Sequence, residues 1–361
     1  MAETSVRQAC LPRLHGLARS VGLTGAPERV DALFDALTGS WAAVPASALP
    51  LSDVSADGSP VEFALGLGPD PASVQLAVEP MVTGATDTFA GRSAAARATM
   101  GKLSRDYGLC PDRWNAVAGV FLPGKGGQGP AAMFGAEMGR DDSPLFKVWF
   151  YPGVAGLGSA PDLVRAGLGR LGGGGAWPAV VRHAPRGFER DVPVLFSLDI
   201  TDGRPGRTKV YFRHYRMSTD ELVRQLARYP GFDDGRAATF GRALTARPGG
   251  GAAQPPVTCL SFHDGDAEPR DITLYMPLWT GLPDDEVVRA RVRGLLASQG
   301  AGVGRYDRAL PHVAARPLRQ ARGMHNYLSW QPADPPRLKV YWSPELRCAN
   351  PVPRYIREDL P

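Results

Sequence analysis

Thr208-Lys209-Val210-Tyr211-Phe212 decides how this chain is read. Two variants of it stand elsewhere, Phe146-Lys147-Val148-Trp149-Phe150 and Leu338-Lys339-Val340-Tyr341-Trp342. Lysine is scarce, five residues against 36 arginines, and three of the five occupy this context. Lys147 to Lys209 is 62 residues, Lys209 to Thr273 in Ile272-Thr273-Leu274-Tyr275-Met276 is 64, and Thr273 to Lys339 is 66. A step of 72 residues back from Lys147 reaches Gln75 in Val74-Gln75-Leu76-Ala77-Val78. Five related strands at a near-constant period describe one supersecondary unit repeated five times.

Each marked strand alternates with period 2, so that Lys209, Tyr211 and Arg213 share one face and Val210 and Phe212 the other. A second strand-like run precedes each, at 61–67, 132–138, 194–201, 257–263 and 325–330, which predicts five antiparallel hairpins. Helical periodicity appears at 5–21, with Ala9, Leu14, Leu17, Ala18 and Val21 on one face, and at 29–37, with Val30, Leu33, Phe34 and Leu37. Two more helices are expected at 219–228, capped at Ser218 or Thr219, and at 283–296, with Asp284, Asp285 and Glu286 in the first turn. The unit is helix, helix, strand, strand. Ten antiparallel strands leave no exposed edge if they close into a barrel with the helices outside, an α+β architecture. The alternative is an open antiparallel sheet covered by helices on one face.

Composition fits a well-packed globular protein: 361 residues, 43% hydrophobic and 21% charged. The net charge of +5 comes from dispersed arginines with no basic stripe, which argues against a nucleic-acid partner. Cys10, Cys110, Cys259 and Cys348 show no CxxC spacing, so reduced thiols are expected and a zinc site is not. No apolar run approaches membrane-spanning length and no leader pattern opens the chain. The expectation is a soluble cytoplasmic protein, a single domain over 1–361, with no membrane partner and oligomeric state left open.

In a barrel this wide the marked polar face lines a chamber. Lys147 with Trp149 and Tyr151, Arg207 with Lys209 and Tyr211, Thr273 with Tyr275, and Arg337 with Lys339 and Tyr341 would form a cluster of cations beside a ring of aromatic faces. Clustered cations repel and lose hydration, so a polyanion is expected to complete the site; phosphate or diphosphate suits both Lys and Arg. Trp and Tyr faces stabilise a positive charge. Diphosphate beside π-faces suits heterolysis of an allylic diphosphate to an allyl cation. A magnesium-dependent version of that chemistry needs an Asp-Asp-x-x-Asp motif. The doublets Asp141-Asp142, Asp233-Asp234 and Asp284-Asp285 lack the third aspartate, so no metal is expected.

With these motifs the chain resembles the aromatic prenyltransferases of the dimethylallyltryptophan synthase type, in their bacterial branch. That family's fold is a ten-stranded barrel of five ααββ repeats, the ABBA or PT barrel. Its Lys-x-Tyr strand looks like Lys147 and Trp149, its Arg-x-Lys-x-Tyr strand like Arg207, Lys209 and Tyr211, and its later tyrosine strands like Tyr275 and Tyr341. The resemblance implies that Lys147, Arg207, Lys209, Arg337 and Lys339, with Tyr211, Tyr275 and Tyr341, bind the diphosphate. Trp149, Tyr211, Tyr275, Tyr327 and Tyr341 would shield the cation and line the prenyl pocket. Glu62, in Ser59-Pro60-Val61-Glu62-Phe63, looks like the family's indole-binding base, with Tyr151 beside the aromatic substrate. Gln75 stands where the family commonly has an arginine, Trp149 at a shield tyrosine, and Thr273 at a frequent glutamine. Val194 stands where fungal members carry an arginine for the amino-acid carboxylate.

The activity implied is metal-independent transfer of a dimethylallyl group from dimethylallyl diphosphate to the indole of tryptophan or a tryptophan-derived compound, in secondary metabolism such as alkaloid biosynthesis. Dimethylallyl diphosphate is then a co-substrate, no cofactor is needed, and the partners are small molecules. Two rivals are the same barrel prenylating a phenol, and a non-catalytic isoprenoid-diphosphate carrier.

Overall fold

The computed structural model describes residues 3–23, 27–68, 72–83, 87–139, 143–232, 235–245, 255–278 and 282–347. The chain runs through five units, each of two helices followed by a hairpin. They are α1 (Val6–Ser20), α2 (Pro27–Thr38), β1 (Val61–Gly66), β2 (Val74–Val78); α3 (Phe89–Tyr107), α4 (Asp112–Phe121), β3 (Ala132–Met138), β4 (Leu145–Phe150); α5 (Ala160–Arg170), α6 (Trp177–His183), β5 (Asp191–Ile200), β6 (Arg207–His214); α7 (Thr219–Leu226), α8 (Arg236–Thr245), β7 (Val257–His263), β8 (Asp271–Pro277); and α9 (Asp285–Ser298), α10 (Val303–Val313), β9 (His325–Gln331), β10 (Arg337–Trp342). Every strand pairs antiparallel with its sequence neighbours, and β1 pairs with β10 (Phe63 opposite Trp342), so the sheet is a closed barrel. The expected closure therefore holds, and the open sheet is excluded.

The alternation read from the sequence sorts the two faces. Val148, Phe150, Val210, Phe212, Val340 and Trp342 point outward into an apolar layer shared with the helices, while Trp149, Tyr211 and Cys259 belong to a separate inner cluster. Burying a large apolar side chain in that layer contributes roughly 1.5–3 kcal/mol, so the protein's stability resides between barrel and helices and the lumen is left free for chemistry. On α1 the buried face is wider than the periodicity suggested. Cys10 and Leu11 are buried while Ala9 is only half-buried, because α1 packs on both α2 and α10. Ser5 and Ser218 close α1 and α7 with reciprocal capping boxes, and Asp284 caps α9. β5 begins three residues before the expected start at 194. A register shift between Pro193 and Leu195 admits the proline, which lacks a ladder N–H.

Two buried polar seams pin helices to strands. Asp191 Oδ1 lies 2.8 Å from His214 Nδ1, Thr258 Oγ1 lies 2.7 Å from His214 Nε2 and 2.6 Å from His183 Nε2, and Tyr229 Oη lies 2.8 Å from His183 Nδ1. With His214 neutral, as burial favours, Asp191 as acceptor sets the protons of the chain: His214 Nδ1–H donates to it, Thr258 O–H to His214, His183 Nε2–H to Thr258, and Tyr229 O–H to His183. Both imidazoles are neutral in this arrangement. Burial lowers His183 well below the usual histidine value, and burial lowers His214 despite the pull of Asp191. In the second seam Asp285 accepts from the backbone N–H of Met324 and His325 and from His325 Nδ1–H at 2.8–3.0 Å. The doublet Asp284-Asp285 thus has structural work, as a cap and as an anchor for β9. Asp141-Asp142 and Asp233-Asp234, with Cys348, lie outside the described residues.

Candidate active site

The lumen is empty of packing because large and small residues alternate between strands. Residues directly opposite one another on neighbouring strands share a face, and several of the large inward residues meet a small one. Lys147 faces Gly135, Lys209 faces Ser197 and Ser261, Tyr211 faces Cys259, Tyr275 and Lys339 both face Ser329, and Tyr341 faces Ala64. A methyl group on Gly135 would collide with the ring of Trp149. What remains is a cavity of about 1110 Å³. Every site residue expected from the sequence lines it: Glu62, Lys147, Trp149, Tyr151, Arg207, Lys209, Tyr211, Tyr275, Tyr327, Arg337, Lys339 and Tyr341.

These residues fall into three tiers along the barrel axis. At one end, near the starts of β4, β6 and β10, stand Lys147, Arg207, Lys209, Arg337 and Lys339. They are not bare, as clustering of cations in the sequence suggested. Glu137 on β3 bridges Lys147 Nζ at 2.6 Å and Lys339 Nζ at 2.7 Å, Asp199 on β5 pairs with Arg207 at 2.6 Å, and Gln75 accepts from Lys339 at 3.3 Å. Burial would raise both carboxyls, but the surrounding cations overcome it and keep Glu137 well below, and Asp199 below, the usual carboxylate range. Lys209 makes no hydrogen bond or ion pair among the described residues. Burial first, then repulsion from Lys147 and Arg207, pushes it down to about 8. An ammonium so placed has the most to gain from an anion.

The middle tier is aromatic. Tyr211 and Tyr275 have ring centroids 5.8 Å apart, Tyr275 and Tyr341 5.9 Å, and Trp149 Nε1–H donates to Tyr211 Oη at 3.1 Å. Burial raises all three phenols above the usual tyrosine value, so they remain neutral donors.

The third tier holds Glu62 on β1, Tyr327 on β9, Arg213 on β6 and Tyr151 just beyond β4. Arg213 Nη2 donates to Tyr327 Oη at 3.4 Å. Asn326 Nδ2 donates to the Glu62 carboxylate, and the register explains how. Opposite Tyr341 and Trp342 the pairing skips from Tyr327 to His325, so Asn326 is the extra residue of a bulge, re-aimed toward β1. Burial pushes Glu62 up to about 8 against that hydrogen bond.

Reading only the marked strands missed Glu137, Asp199 and Asn326. The first two carry a signal: extending the period-2 alternation to the partner strands puts an acidic residue on the inner face of each. Asn326 carries none, because a bulge breaks the alternation that would have located it.

Among the described residues, no group of three or more His, Cys, Asp or Glu is placed to hold a metal ion, and no helix is long and apolar enough to cross a membrane. A closed ten-stranded barrel with helices outside and a lumen graded from cations through aromatic rings to a buried carboxylate defines an aromatic prenyltransferase. The likenesses among solved structures are more specific. The 6-dimethylallyltryptophan synthase from Micromonospora olivasterospora, in complex with DMASPP and Trp, matches with a TM-score of 0.84 and 28% identity over 95% of this chain and 98% of that one. The 5-dimethylallyltryptophan synthase from Streptomyces coelicolor matches at 0.84 and 26%, over 96% and 99%. PriB, in a ternary complex with L-tryptophan and dimethylallyl thiolodiphosphate, matches at 0.84 and 25%, over 99% and 100%. No family model matches the chain. The chain is an aromatic prenyltransferase of the dimethylallyltryptophan synthase type.

Proposed function

We propose that this protein, acting as a single domain and without a metal ion, transfers a dimethylallyl group from dimethylallyl diphosphate to the indole of tryptophan or a tryptophan-derived compound. The observation that carries the reading is the order of the three tiers along one chamber, which supports a donor at the cation end and an aromatic acceptor at the Glu62 end. The solved complexes of PriB and of the Micromonospora enzyme, each with tryptophan and a donor analogue, support the same pair of substrates.

Lys147, Arg207, Lys209, Arg337 and Lys339 hold the diphosphate, with Lys as point charges and Arg as forks, and the hydroxyls of Tyr211, Tyr275 and Tyr341 donate to it. The C1–O bond breaks and its electron pair leaves with the diphosphate. The cations take up that charge, the task a metal would otherwise perform. The allyl cation forms against Trp149, Tyr211, Tyr275, Tyr327 and Tyr341, each face worth roughly 0.5–2 kcal/mol when desolvated. Exclusion of water by these rings suppresses hydrolysis to the prenyl alcohol. A π pair of the indole makes the new bond, and the ring then loses the proton at the attacked atom. Glu62 accepts the indole N–H, which raises ring nucleophilicity, and takes up the released proton; Tyr151 packs beside the ring.

The test is incubation of EDTA-treated protein with dimethylallyl diphosphate and L-tryptophan, read by mass spectrometry. A product heavier by one prenyl unit is expected. Pyrophosphate release with tryptophan unmodified would move the acceptor to another indole or a phenol. No pyrophosphate with any of these acceptors would leave only a diphosphate carrier.

A further inference from the structure

The reaction as proposed makes no use of Glu137, yet this carboxylate stands in the middle of the donor end. Its Oε2 is 2.6 Å from Lys147 Nζ, its Oε1 is 2.7 Å from Lys339 Nζ, and Ser73 Oγ donates to Oε1 at 2.7 Å. Three partners fix both of its oxygens, so the placement is built. The charge is fixed as well, since the two ammonium groups hold Glu137 ionised against the effect of burial. A permanent negative charge within a few ångströms of a diphosphate subsite opposes binding at low dielectric. A site shaped only for donor affinity would carry a neutral residue there.

Resting on the diphosphate reading above, we infer that Glu137 is a built-in counter-ion that holds Lys147 and Lys339 in place while the subsite is empty and weakens their grip on pyrophosphate, so that product leaves. Each ammonium has three N–H donors. Glu137 occupies one on each and Gln75 a second on Lys339, and the remaining donors are available to phosphate oxygens. Tight binding of donor and product alike does not raise turnover, and release of product is often the slow step. A carboxylate that both anions must tolerate lowers affinity for the two together and shortens the residence of the one that must go.

Titration calorimetry of wild type and Glu137→Gln with inorganic pyrophosphate and with dimethylallyl thiolodiphosphate tests this. The variant should bind pyrophosphate on the order of tenfold more tightly, with kcat and KM for the donor both reduced. A purely structural role predicts the opposite sign, because disordered lysines bind the anion more weakly; unchanged or weaker binding by Glu137→Gln overturns the inference. If that variant does not fold, Glu137→Asp serves, since its carboxylate is drawn back by about 1.5 Å and can no longer span both lysines. It should bind pyrophosphate a few-fold more tightly, and unchanged or weaker binding again overturns the inference. Failure of the wild type to bind either anion would instead strike the diphosphate reading itself.

Discussion

Glu62 keeps its proton up to about pH 8 because the lumen desolvates its carboxylate more than the hydrogen bond from Asn326 offsets. As the proposed acceptor of the indole N–H it works in its ionised form, so with saturating donor, whose diphosphate keeps Lys209 charged, kcat/KM for the aromatic substrate should climb as pH rises through about 8. A pH–rate profile checks this, and Glu62→Gln should flatten it while cutting transfer by about 10²–10⁴-fold. The effect on stability has the opposite sign to that on activity. A carboxyl whose folded-state pKa is raised from 4.5 to about 8 contributes stability that is present below the lower value and lost as pH rises through the upper one. Glu62→Gln should therefore melt higher than wild type at pH 8 by a few degrees, as differential scanning calorimetry would show. At this scale the sequence was legible where side chains follow the alternation: Lys147, Lys209 and Tyr341 could be placed by counting. Their charge partners were not legible, because Glu137 meets Lys339 across 202 residues of chain, and only barrel closure brings those strands together.

The seam from Asp191 to Tyr229 ties β5, β6 and β7 to the end of α6 and to the segment after α7 through two neutral buried histidines. On unfolding in acid they take up protons that the folded protein refuses, so the unfolded state binds more protons and folding weakens as pH falls below about 6.5. A series of thermal melts should show the melting temperature falling from pH 7 to pH 5. Thr258→Val should lower stability at pH 7 by roughly 2–5 kcal/mol, since a nitrogen on each imidazole then lies buried without a partner. The hairpins were readable as elements because each is a short alternating run. Most of the helices were not. Units two and three carry α3, rich in Ala, Gly and Arg and weakly periodic, and α4, α5 and α6, which are short segments of 10, 11 and 7 residues. Packing against the barrel, more than local preference, makes them helical.

With the proposed donor and acceptor machinery at opposite ends of one chamber, damage to either should be separable in the whole molecule. Lys209→Ala should lower turnover with every acceptor and weaken binding of dimethylallyl thiolodiphosphate by about tenfold or more. Glu62→Gln should leave that binding within a factor of about two, and the double variant should show near-additive losses in ground-state binding. Calorimetric titration of the three variants checks both statements, and strong coupling would contradict the tiered arrangement. The pairing of β1 with β10 also has a consequence for synthesis. When the ribosome has delivered the first four hairpins, Phe63 still waits for Trp342, and the growing polypeptide carries two unpaired borders that can recruit another chain. The fifth hairpin completes the ring, so the lumen proposed to confine a reactive cation comes into being only once Arg337–Trp342 has been made. An early stop codon or a stall before Arg337 would yield an aggregating ribbon, with no partly active transferase as an intermediate outcome.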